Sequence, residues 1–161
     1  MNKLPLEKRV QILSMLCEGS SMRSISRVAD VSINTVSKLL VDAGQACVAF
    51  HDEKVRNVKS QRVQADEIWS FCYAKRVNAP NTKKQVEGRG DVWTWTAIDA
   101  DSKLILSWFV GWRGIQAALI FLGDLKDRLA NRVQLTSDAH HAYLQAVGRT
   151  FGDELDYAQL V

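Results

Sequence analysis

The sequence predicts a two-part α/β chain: an all-α domain with a helix-turn-helix over residues 1–45, a basic connector over 46–62, and a mixed sheet with helices over 63–161. Three observations predict it. Apolar residues recur at helical spacing as far as residue 40, the pattern becomes β-rich after residue 62, and strand-like and helical segments then alternate. With 161 residues, 47% hydrophobic and 24% charged, the chain has globular composition and room for one sizeable core beside a small accessory domain.

From Pro5 to Cys17, Leu6, Val10, Leu13 and Leu16 fall at spacings of three and four, and Glu18-Gly19-Ser20-Ser21 stops that helix. Met22, Ile25, Val28 and Ala29 mark a second short helix; Ile33, Val36, Leu39 and Leu40 mark a third. Only Asp30-Val31-Ser32 lies between them, enough for a tight turn. Residues 43–62 read as a polar connector with some helical character, ending in Lys54, Arg56, Lys59 and Arg62.

Strands are expected over 63–73, 92–99 and 104–112. The polar stretch 78–91 separates the first two, and Asp99-Ala100-Asp101-Ser102 makes a hairpin turn between the others. An amphipathic helix follows from Ile115 to Leu129, then a short strand from Val133 to Thr136, a helix from about Ala139 to Val147, and a strand beginning at Tyr157.

Charge is uneven. Residues 1–65 hold ten Lys/Arg against six Asp/Glu, whereas residues 66–161 hold eleven against twelve, so the basic front half suits an anionic partner such as nucleic acid. No apolar run approaches the roughly 20 residues of a membrane span. The N-terminus lacks the apolar core of a secretory signal, so a cytoplasmic protein is expected, with no membrane and no small-molecule substrate. Cys17, Cys47 and Cys72 fit neither a disulfide framework nor a zinc pair and are expected to be reduced, buried thiols.

The turn chemistry around Asp30 is what a helix-turn-helix requires. Ser26 is small enough for two helices to approach, Asp30 stands where Gly is usual and tolerates a left-handed backbone, and Val31 and Val36 can fill the angle between the helices. Ser32 is a natural N-cap for the third helix. Around it Asn34, Thr35 and Lys38 are the side chains expected to be exposed toward the major groove of double-stranded DNA, with Arg23 and Arg27 available to phosphates. A plain three-helix bundle, or one that contacts protein, is the alternative.

In the second part, Asp66 interrupts a β-favouring segment, where a carboxylate is costly unless a cation compensates it. Asp138 ends the fourth strand, the edge at which α/β sheets place ligands. The bland alternatives are a salt bridge from Asp66 to Arg62 or Lys75, and helix capping by Asp138.

The chain here resembles the DDE transposases of bacterial insertion sequences, those related to insertion sequence one. The resemblance rests on Asp66-Glu67-Ile68-Trp69-Ser70-Phe71, on Thr96-Ala97-Ile98-Asp99 with Leu104-Ile105-Leu106, and on Thr136-Ser137-Asp138 with Ala142-Tyr143-Leu144. With the helix-turn-helix it covers most of the chain. It implies a ribonuclease H-like sheet in which the first and fourth strands are neighbours. Asp66 and Asp138, as the first two acids of the triad, would then share Mg²⁺ or Mn²⁺ for DNA strand cleavage and transfer.

The resemblance further implies binding to element ends and multimers on DNA, hence a possible homo-oligomer. The family's third acid is a Glu on a helix well beyond the second Asp, and the chain ends before such a helix, so a truncated or split reading frame is expected. Glu154 does not take that place, and Asp99 is a turn residue. A non-catalytic DNA-binding regulator or relic is the alternative function. A regulator with a small-molecule sensing domain is a third, and predicts a closed apolar pocket.

His140 and His141 are adjacent and expected to point apart, without a third ligand for zinc. Trp93, Trp95, Trp108 and Trp112 are expected to pack in the core or on a sheet face. Arg113-Gly114 is either a DNA contact or a solvated turn.

Overall fold

The computed structural model describes residues 4–81 and 87–160. Its architecture is mixed α/β. The elements are α1 (Leu6–Cys17), α2 (Met22–Val28), α3 (Ile33–Lys54), β1 (Arg62–Cys72), a 3₁₀ turn (Ala79–Asn81), β2 (Gly90–Asp99), β3 (Ile105–Gly111), α4 (Ile115–Arg128), β4 (Gln134–Ser137), α5 (His141–Phe151) and β5 (Asp156–Gln159). Residues 82–86 of the expected loop, and the last residue of the expected final strand, lie outside the described residues.

The chain divides into two compact units after Lys54. The expected boundary at residue 62 is therefore displaced, and the connector does not exist as such. Its first part continues α3, which runs 22 residues, because nothing between Ile33 and Lys54 breaks a helix strongly; Gly44 alone is tolerated.

Its second part belongs to the sheet unit. Val55 is buried there, Val58 N–H donates to the Arg128 carbonyl, and Ser60 exchanges hydrogen bonds with the Asn131 side chain. The Arg128 guanidinium, 5% exposed, grips Asp124 through two nitrogens and donates to the Val55 carbonyl at 3.1 Å. The guanidinium thereby ties the segment's backbone to α4.

In the first unit the core is Ile12, Ile25, Ala29 and Val36, with Met15, Leu16, Val31 and Leu39 packed against it. The phase of α1 differs from expectation: Leu6 and Val10 are exposed, while Ile12 takes the centre. Both stripes satisfy helical spacing, so periodicity alone could not choose between them. The turn after α2 behaves as its residues dictate. Asp30 has φ +49°, Ser26 Oγ donates to the Val31 carbonyl at 2.6 Å, and Ser32 Oγ accepts from Thr35 N–H at 3.2 Å.

A β-branched residue suffers most in that left-handed conformation. Asp30→Val is expected to destabilise the first unit by about 1–2 kcal/mol, while Asp30→Gly holds or raises stability by up to about 1 kcal/mol. Amide hydrogen exchange in α2 and α3 of the full chain checks both; equal protection in the two variants would contradict the claim.

The second unit is one five-stranded sheet in the order β3-β2-β1-β4-β5. β1 pairs antiparallel with β2 and parallel with β4; β2 pairs antiparallel with β3, and β4 parallel with β5. Alternating side chains send Val63, Ala65, Trp95, Ala97, Leu106 and Leu135 into a core with Phe121, Leu122 and Leu125 of α4 and Tyr143, Ala146 and Val147 of α5. The opposite residues Ile68, Ile105, Trp108 and Val110 remain exposed.

Asp99 closes the β2–β3 turn. Its carboxylate accepts from Ser102 N–H and Oγ and from Ser60 Oγ, and these bonds hold its pKa at about 2 against an ordinary 3.8. A lowered folded value means stability fully present above pH 3.8 and lost as pH falls through about 2. The loss is expected to be on the order of 1–2 kcal/mol after allowing for solvent at the turn. Urea titrations at several pH values check it: Asp99→Asn should flatten this part of the acid limb, and an unchanged slope between wild type and variant would refute it.

The three cysteines correct another expectation. All are free thiols, and all are exposed rather than buried. Among the described residues, no helix is long and apolar enough to cross a membrane.

Candidate functional site

β1 has eleven residues and β4 only four, and their parallel register runs Arg62 to Gln134, Val63 to Leu135 and Gln64 to Thr136. Continuing that register by two residues sets Asp66 level with Asp138, just where β4 has ended. Beyond this point, among the described residues, no strand pairs with β1 on that flank. The open flank lets consecutive side chains of β1, which start from opposite faces, both turn toward Asp138. One carboxylate oxygen each from Asp66, Glu67 and Asp138 lies within 4.8 Å of the others.

The two aspartates are held locally. Asp66 Oδ1 accepts from Glu67 N–H at 2.8 Å, and Asp138 Oδ1 accepts from His140 N–H at 3.0 Å at the entry to α5. The capping role open to Asp138 is thus partly realised, through one oxygen only. Asp66 makes neither alternative ion pair: Arg62 pairs with Asp101, and Lys75 lies over the Trp69 ring.

Glu67 is the residue that sequence reasoning missed. Its side chain is 1% exposed, Oε2 meets Arg113 Nη2 at 3.2 Å, and Oε1 is buried without a hydrogen bond. Burial pushes its carboxyl above the ordinary range, and Arg113 opposes that without cancelling it. A signal was available. Counting on from Val63 and Ala65, the inward parity puts a carboxylate at position 67, whereas Asp66 shares the outward parity of Gln64. The carboxylate that ends the buried row is Glu67, since Trp69 and Phe71 beyond it are exposed, and Asp66 is exposed too.

Arg113 is not merely a solvated turn residue. It reaches Glu67, approaches Asp138 Oδ2 at 3.7 Å, and lies over the Trp93 ring at 4.6 Å. Tyr143 Oη and His140 Nε2 are also buried without a hydrogen bond. Burial, followed by the charges of Glu67 and Asp138, raises the Tyr143 pKa; burial, then Arg113, lowers that of His140. The His140 and His141 rings do not diverge but meet edge to face at 4.8 Å, because His140 precedes the helix.

Buried carboxylate oxygen, spare lone pairs and hard donors fit a divalent cation such as Mg²⁺ or Mn²⁺. Glu154, paired with Lys126 at 2.7 Å, is not part of this group. Of the tryptophans expected to pack, Trp95 is fully buried and Trp93 lies under Arg113, but Trp108 and Trp112 are exposed. A groove of about 470 Å³ lies at the opposite end of β4, lined by Lys126, Arg132, Asp153 and Glu154 as well as Phe151, and is not a closed apolar pocket.

In the first unit, Arg23, Arg27, Ser32, Asn34 and Lys38 are exposed and Thr35 half-buried. Ser32 caps α3 and Thr35 engages it; Asn34 and Lys38 are outward on the first turns, as are Ile33 and Ser37. Compared with protein-family models and with curated proteins, the chain matches none of them.

Proposed function

We propose that the chain is a DNA transposase of the DDE type. In this reading the first unit is a helix-turn-helix that binds element ends, and the second is a ribonuclease H-like domain that cleaves and joins strands. The observation that carries it is the meeting of Asp66 and Asp138, 72 residues apart in sequence, where β4 ends beside the middle of the neighbouring parallel β1. The order of three antiparallel strands, helix, strand, helix, strand, with β4 beside β1, supports the same reading. The capped start of α3 and the left-handed Asp30 support the first part.

Asp66 and Asp138 would hold Mg²⁺ or Mn²⁺, which when bound activates a water or 3′-hydroxyl and stabilises the leaving oxygen in phosphoryl transfer. The chain's own side chains orient the reactants. Arg113 presents a guanidinium of the geometry that grips a phosphate, and Trp93 braces it. In the first unit Asn34 and Lys38 read base edges, while Arg23 and Arg27 take phosphates.

A second reading, a non-catalytic DNA-binding regulator, is favoured by one observation: Arg113 already neutralises Glu67 and approaches Asp138. One experiment separates them. A duplex selected from a random library by the purified chain is incubated with it in Mg²⁺, in Mn²⁺ and in excess EDTA. Strand nicking that needs the cation and vanishes with EDTA is expected. Retention of the duplex without nicking in either cation would leave the regulator, and no sequence preference at all would remove both.

A further inference from the structure

We infer that Glu67 is the third protein ligand of the cation site, so that the consecutive pair Asp66-Glu67 and the distant Asp138 hold the ion together. This rests on reading the site as a cation centre. Glu67 is the most enclosed of the three, with a side chain 1% exposed. A carboxylate taken out of water is costly unless its oxygens are satisfied, and here only Oε2 is, by Arg113.

Oε1 of the same carboxylate has no hydrogen bond of regular geometry. The fully buried Tyr143 hydroxyl is near enough to interact with this carboxylate, so the spot is polar and enclosed. Even with that hydroxyl as a donor, a carboxylate oxygen keeps a second lone pair for a cation.

The separations suit this assignment. Mg²⁺–oxygen bonds of about 2.1 Å put opposite ligands of an octahedral ion about 4.2 Å apart and adjacent ones about 3.0 Å apart, and of three ligands only one pair can be opposite. The three oxygens lie within 4.8 Å of one another. Binding the ion therefore draws them together by at most about 2 Å, which rotation of the exposed Asp66 and half-exposed Asp138 side chains supplies. Arg113 stands in the same place as a monovalent substitute, 3.2 Å from Glu67 and 3.7 Å from Asp138. A divalent ion must therefore compete with it, and the Trp93 ring gives the guanidinium a second hold.

The test is a Mn²⁺ titration of the full chain, read by the paramagnetic resonance signal of the free aqueous ion. Glu67→Gln is expected to weaken Mn²⁺ binding tenfold or more, as Asp66→Asn and Asp138→Asn do, while Glu154→Gln stays within twofold of wild type. Arg113→Gln is expected to tighten it. Loss in the two aspartate variants with Glu67→Gln unchanged overturns the role of Glu67 and leaves a two-aspartate site; no Mn²⁺ binding by the wild-type chain overturns both. Where circular dichroism shows that Glu67→Gln does not fold, Glu67→Asp decides. It keeps the charge and withdraws the oxygens by one methylene, so weakening of threefold or more supports the inference and wild-type affinity overturns it.

Discussion

Asp66→Asn and Asp138→Asn are each expected to lower cation-dependent nicking by at least about a hundredfold, about 2.7 kcal/mol of barrier, while duplex retention stays within about twofold. The amide keeps the size and planarity of the carboxylate and removes its charge, so packing at the strand ends is little disturbed. What is lost is a hard anionic ligand, and a cation's stabilisation of the transferring phosphoryl group amounts to several kcal/mol. In the proposed function duplex retention belongs to the other unit, of which these residues are not part. Single-turnover nicking of the selected duplex, with filter binding alongside, measures the two separately. Unchanged nicking in Asp66→Asn would mean that the acids at the strand ends are only structural.

Trp95→Ala is expected to destabilise the second unit by about 3–5 kcal/mol. Trp95 is fully buried at the centre of β2, with Phe121 at 5.9 Å, Tyr143 at 5.5 Å and His140 at 6.0 Å between ring centroids. Truncation removes the ring that joins both helices to the sheet, and the surroundings cannot collapse into so large a space. It also strands the Trp112 carbonyl, which accepts from the indole N–H at 3.0 Å.

All five tryptophans belong to this unit, so fluorescence-monitored urea unfolding reports on it without interference from the helical one. Trp95→Phe keeps an aromatic ring and should lose less. A midpoint for Trp95→Ala indistinguishable from wild type would show that Trp95 does not anchor the core. Because Tyr143 and His140 border the acids, the alanine variant should also loosen the site before the unit unfolds.

Much of this was legible in the residues, and what was not has physical causes. Asp30, Ser26 and Ser32 each have a backbone or capping preference that acts within a few residues, and each does what that preference dictates. The strands were readable because turn residues bound them; Asp99 folds its turn with its own carboxylate. The length of α3 was not readable, since residues 41–54 carry both polar and apolar groups without a stop. Burial of the cysteines was misjudged because their exposure depends on packing partners distant in sequence. At the site, Asp66 and Asp138 were found from strand position, whereas Glu67 required the inward row to be counted residue by residue, and Arg113 required knowing which loop lies over Trp93.

The notch beside β1 owes its existence to a mismatch of strand lengths, eleven residues against four. The missing ladder is a property of the backbone, so exchanging the side chains around Asp66 and Asp138 leaves it missing. Only adding ladder to the shorter strand would seal the notch. The chemistry at this rim is therefore open to revision one residue at a time, on a scaffold that need not be rebuilt.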